Sequence, residues 1–148
     1  MTKNGPVKLV AKMTGPFLVS RAFIPTMKGR GYGRIINLTS IMGHVTTAGR
    51  GLYSTTKAGL LALTKALALE LAADQISVIG ISPGFVETDL TAGLRSNPAT
   101  HQELTARIPA GRWGRVEEIG ALALYLCGEQ ASYITGSDVV IDGGWLAL

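Results

Sequence analysis

Apolar residues in this chain form long stretches at helical spacing and short unbroken runs, and the two kinds alternate. From Pro6 to Met27 the apolar positions Leu9, Val10, Met13, Phe17, Leu18 and Phe23 predict a helix with a near-continuous buried stripe, bent by Pro16 and Pro25. Gly29-Arg30-Gly31-Tyr32-Gly33 is a turn. Arg34 to Thr39 is short, β-branched and apolar at successive positions, as a strand covered on both faces is. A glycine-punctuated loop follows to about Gly51, then an Ala/Leu-rich helix without proline from Leu52 to Ala73. Ile76 to Ser82 reads as a second buried strand, stopped by Pro83-Gly84. A polar, less regular region runs to Arg115, with Thr88 placed to cap a short helix. Val116 to Leu126 is a further helix, and Asp138 to Ile141 a last strand stopped by Asp142-Gly143-Gly144. Helices alternating with short apolar strands predict the α/β class: a parallel sheet with flanking helices on both faces.

Composition narrows the chemistry. A length of 148 residues fits one domain spanning 1-148, and the 16% charged residues, against a usual ~25%, exclude a solvated disordered chain. The single cysteine, Cys127, excludes an internal disulfide framework and fits a reducing compartment. His44 and His101 stand far apart without metal-site spacing, so no metal is expected. The most apolar stretch, Gly59 to Ala73, is broken by Lys65 and Glu70, and the first residues have no signal-peptide core. The expectation is a cytoplasmic protein with no membrane partner. Residues 1–69 hold ten Lys and Arg and no acid, whereas 70–148 hold four Arg and ten acids; the halves carry +10 and −6, and the chain +4. The basic residues are spaced singly, with no run and no interleaved aromatics, so nucleic acid is not expected.

The candidate chemistry lies at one edge of the predicted sheet. Tyr53 and Lys57 stand at i and i+4 on the most regular helix and share a face. A phenol titrates near ~10 in water, and an adjacent ammonium favours the phenolate, which makes such a tyrosine a usable general acid/base. Ser40 closes the first strand thirteen residues upstream, at the carboxyl end where parallel sheets build their sites. A hydroxyl there can hold a carbonyl oxygen while the phenol protonates it. Ser82-Pro83-Gly84 ends the next strand on the same edge, and Phe85-Val86-Glu87-Thr88 brings backbone groups and a hydroxyl to that crevice.

Asn37-Leu38-Thr39-Ser40, Tyr53-Ser54-Thr55-Thr56-Lys57-Ala58-Gly59, Ser82-Pro83-Gly84 and Tyr133-Ile134-Thr135-Gly136 through Asp142-Gly143-Gly144 together resemble the short-chain dehydrogenase/reductase family, from about Gly15 to the C-terminus. The resemblance implies NAD or NADP as cofactor and hydride transfer to or from a small alcohol or ketone. It implies Tyr53 as general acid/base and Ser40 as the group orienting the substrate oxygen. Lys57 would hold the nicotinamide ribose as well as tune Tyr53. The backbone at Pro83, Gly84 and Val86 and the Thr88 hydroxyl would hold the carboxamide, and Met42 and His44 would line the substrate pocket beside Ser40.

The sequence departs from the family pattern in two ways. It contains only what resembles the second half of a Rossmann-type doubly wound fold. The glycine-rich turn after a first strand, which seats a pyrophosphate, is missing, and so is the residue that selects NAD or NADP. Lys12 also stands where the family carries a proton-relay asparagine, and an ammonium cannot accept a hydrogen bond. Gly15 to Arg21 and Pro109 to Gly114 resemble the gluconate 5-dehydrogenase branch, so sugar-acid-like substrates join 3-oxoacyl ones. Arg112 would bind a carboxylate or merely anchor its loop. Without the first half, the strand at Arg34–Thr39 has an open edge, which predicts a homo-oligomer. Three readings follow: an oxidoreductase, an inactive remnant serving as an oligomerisation or binding module, or one half of a split enzyme completed by a partner chain.

Overall fold

The computed structural model describes the backbone of residues 5–147 and the side chains of residues 11–147. Three parallel strands, β1 (Gly33–Leu38), β2 (Ile76–Pro83) and β3 (Asp138–Ile141), lie side by side in chain order. Helix α1 (Gly5–Met27) precedes β1, and α2 (Gly51–Leu71) crosses from β1 to β2. Helices α3 (Ala92–Arg95), α4 (Pro98–Ala106) and α5 (Val116–Cys127) cross from β2 to β3.

Strand β2 is buried from Ile76 to Ser82 because it has a neighbour on each side and helices over both faces. Its alternate residues divide between two cores, as pleating requires. Val78 and Ile76 pack with Leu67, Ala68 and Leu71 of α2, and Ile24 and Met27 of α1 join them. Ile79 and Ile81 pack on the other face with Leu126 of α5 and Ala131. Thr39 N–H donates to Ile81 O at 2.8 Å, carrying the ladder one residue beyond β1.

One expectation about coverage fails. Phe17, Leu18 and Phe23 are exposed together with Val19, so the described part of α1 has no continuous buried stripe; the side chains of Leu9 and Val10 lie outside the described residues. Strand β1 is packed on both faces, Ile35 against the α2 core and Ile36 against the α5 core. Among the described residues it pairs with β2 alone, and Leu38 at its end is exposed. Helix α4 is an addition within the region read as irregular. Asn97 Oδ1 accepts from Thr100 N–H at 3.1 Å and Pro98 opens the helix, a capping signal legible in the sequence. No described helix is long and apolar enough to cross a membrane.

Candidate active site at the carboxyl ends of the strands

Ser40 leaves the end of β1 and caps a single-turn helix, Ile41–Gly43. Its Oγ accepts from Met42 N–H at 3.2 Å, which leaves the hydroxyl proton free to be donated elsewhere. Met42 is half-buried beside it, and His44 closes the turn by donating its N–H to Ile41 O at 3.0 Å. The turn lies directly on α2. A Cβ at Gly43 would stand 2.9 Å from Leu61 Cδ1 and 3.1 Å from the main-chain carbon of Lys57, so only glycine permits this approach.

Helix α2 is tied to the strand from the other side. Lys57 Nζ donates to Leu38 O at 2.6 Å, two residues before Ser40. The elements carrying Ser40, Tyr53 and Lys57 are thereby locked together at the end of β1. Lys57 Nζ stands 5.9 Å from the Tyr53 ring centroid, and Lys12 Nζ, from α1, stands 5.1 Å from it. Tyr53 thus has two ammonium groups within cation–π range. Burial lowers the Lys57 pKa to about 8, and repulsion from Lys12 adds to the effect.

The second loop is held from beneath. Gly84 N–H donates to Ile141 O at 2.9 Å, and a Cβ there would lie 2.8 Å from Asp142 Cα, so the chain passes close over the end of β3. Pro83 ends β2, and Val86 is buried in an isolated bridge to Gly114. Thr88 precedes a single-turn helix, Asp89–Thr91, and its N–H donates to Thr91 Oγ1 at 3.0 Å. Arg112 takes the anchoring role of its two alternatives. It grips Glu118 bidentately at 2.9 and 2.6 Å, which holds the Glu118 carboxyl at about 2.

The sequence reading missed a polar cluster next to Ser40. Thr39 Oγ1 lies 2.6 Å from both Asp138 Oδ1 and Ile81 O, which compete for its proton, and 2.8 Å from Ser82 Oγ. His44 Nε2 lies 2.8 Å from Asp138 Oδ2 and 3.2 Å from Ser82 Oγ. The Asp138 side chain is 7% exposed and that of His44 33%. A Cβ at Gly80 would overlap the carboxylate, so this glycine inside β2 makes room for it. Two sequence signals pointed here: an acid opening the apolar run Asp138–Ile141, and a glycine interrupting Ile76–Ser82.

The turn carrying Ser40 and the helix carrying Tyr53 and Lys57 thus meet at the carboxyl end of a parallel sheet. The sequence profile of a family described as enoyl-(acyl carrier protein) reductase matches residues 9–146, and the chain belongs to the short-chain dehydrogenase/reductase family. It is 43% identical over 136 residues to a 3-oxoacyl-(acyl-carrier-protein) reductase of Aquifex aeolicus, covering 92% of this chain and 54% of that protein. The crystal structure of a gluconate 5-dehydrogenase from Burkholderia cenocepacia, in complex with NADP and tartrate, superposes with a TM-score of 0.95 at 30% identity, covering 100% of this chain and 58% of that one. A 4-hydroxyisoleucine dehydrogenase complexed with NADH gives a TM-score of 0.88 at 33% identity, covering 95% and 58%. The chain spans about half the length of the curated relatives it matches.

Proposed function

We propose that residues 1-148 carry the catalytic half of an NAD(P)-dependent oxidoreductase interconverting a small alcohol and its ketone, sugar-acid-like or 3-oxoacyl. The observation that carries this reading is the seating of the Ser40 turn on α2 at Lys57, with Lys57 bonded back to Leu38. In this reading Ser40 donates its free hydroxyl proton to the substrate oxygen and fixes its position. Tyr53 gives a proton to that oxygen during reduction and takes it back during oxidation.

The described residues suit one end of a dinucleotide. Lys57 has three N–H donors and spends one on Leu38 O, which leaves two for ribose hydroxyls. The Pro83–Val86 backbone follows the carboxyl end of β2, and with the Thr88 hydroxyl it would take the carboxamide. When bound, the nicotinamide supplies or accepts the hydride. For the pyrophosphate end the described residues show no such fit, because the glycine-rich run Gly29–Gly33 leads into a strand instead of following one.

Titration of the chain with NADH and with NADPH, followed by nucleotide fluorescence, tests this reading. Saturable binding at or below about 1 mM, roughly −4 kcal/mol, is expected, and its absence with both nucleotides counts against it. Tyr53→Phe is expected to abolish turnover of any substrate found, and unchanged turnover overturns the assigned role.

One observation favours a second reading. The open edge of β1 runs beside a cavity of about 420 Å³ lined by Lys12, Pro16, Ser20, Asn37, Leu38 and Lys57. In this reading another polypeptide, carrying a glycine-rich half, docks there and completes the site. Nucleotide binding that appears only after such a polypeptide is added favours this arrangement. Binding in neither case leaves a binding or oligomerisation module with idle catalytic residues.

A further inference from the structure

One carboxylate holds both ends of the turn that presents Ser40. Asp138 Oδ1 lies 2.6 Å from the hydroxyl of Thr39, the residue immediately before Ser40, which also faces Ile81 O at 2.6 Å and shares its proton between the two. Its other oxygen, Oδ2, meets Nε2 of His44, the residue that closes Ile41–Gly43, at 2.8 Å. The acid comes from the first residue of β3, more than ninety positions away in the chain, and reaches the turn across Gly80 of β2. Ser82 Oγ fills the remaining space at 2.8 Å from Thr39 and 3.2 Å from His44.

We infer that Asp138 and His44 are positioning residues for Ser40, a brace that fixes both flanks of its turn and so the direction of its hydroxyl. The inference rests on the reading of Ser40 as the group that orients the substrate oxygen. Three geometric facts support it. The carboxylate is nearly sealed from water, where a charge-assisted hydrogen bond holds direction better than in solvent. Asp138 also has both oxygens engaged on the same short turn. Finally, Gly80 leaves the space the carboxylate occupies.

A hydrolytic Ser-His-Asp relay uses the same residue types, and the geometry excludes it. Ser82 is fully buried, and both its hydroxyl and Asp138 meet the same imidazole nitrogen. A relay needs the base to face its nucleophile with one nitrogen and its acid with the other.

Amide hydrogen exchange of the full chain tests the brace without requiring turnover. In His44→Ala and in Asp138→Ala, the amides of Met42, Gly43 and His44 are expected to exchange about tenfold faster. Those of β2 and α2 should keep the parent rates. His44→Gln retains an N–H donor at comparable reach and should keep exchange near the parent value. Unchanged turn exchange in His44→Ala overturns the inference, and so does acceleration spread evenly through β2.

With a substrate in hand, His44→Ala should lower kcat about tenfold with little change in KM. Adding it to Ser40→Ala should then cost nothing more; additive losses in the double variant overturn the inference. The outcomes separate the two proposals. Turnover retained in Tyr53→Phe removes the oxidoreductase reading and leaves the exchange result standing. Unchanged turn exchange beside a dead Tyr53→Phe removes the brace alone.

Discussion

Two lysines share the face of one tyrosine, and their mutual repulsion is written into Lys57. Its pKa falls from 10.5 to about 8, mainly through burial and then through Lys12. Below pH 8 both native and unfolded chains keep this proton, and the native state bears the full cost of holding the charge. Between about 8 and 10.5 the unfolded chain binds more protons, so this group's contribution to stability rises with pH across that window. Lys12→Gln removes the smaller cause and leaves burial in place. The Lys57 midpoint is therefore expected to move up from about 8 and stop short of 10.5, as read by NMR titration of its side-chain carbons. A midpoint that stays put or falls would show that Lys12 does not act on Lys57.

Between elements, the decisive contact is the turn after β1 against the backbone of α2. Gly43→Ala would place a methyl carbon 2.9 Å from Leu61 Cδ1 and 3.1 Å from the Lys57 main chain. The turn must then lift away, and overpacking of this kind costs about 1–3 kcal/mol. A thermal-melt comparison is expected to show the loss; an unchanged midpoint means the turn is free to shift. The sheet and its principal helices were legible in the sequence. A short β-branched run such as Ile76–Ser82, stopped by Pro83-Gly84, has one good use in a small α/β chain, and Leu52–Ala73 contains no proline. Helix α4 was harder to see because it buries no residue of its own and so shows no apolar stripe. Ser40, Tyr53 and Lys57 could be picked out because their types and spacing suit one chemistry. Asp138 carried only the weaker signal of an acid opening an apolar run, because its partners Thr39 and His44 come beside it only after three strands have paired.

Over the whole molecule, apolar surface is left where the sheet stops. Phe17, Leu18, Val19 and Phe23 of α1 are exposed, and among the described residues β1 has no second neighbour. An unpaired strand edge beside exposed aromatic and aliphatic side chains favours association. Sedimentation at micromolar concentration is expected to show a dimer or larger species, shifted toward monomer by Leu18→Glu. A monodisperse monomer of the parent chain would overturn the expectation.

Leu38 belongs to two settings at once. Its side chain is exposed on the open strand, and its carbonyl holds the ammonium of Lys57. A body that settles on that strand and a small molecule that reaches Lys57 therefore bear on the same peptide unit. Thermodynamic reciprocity then fixes their relation: whatever factor the first applies to the affinity of the second, the second returns to the first. Any coupling between occupancy of the sheet edge and occupancy of the site is thus equal in both directions, so an effect measured at one predicts the effect at the other.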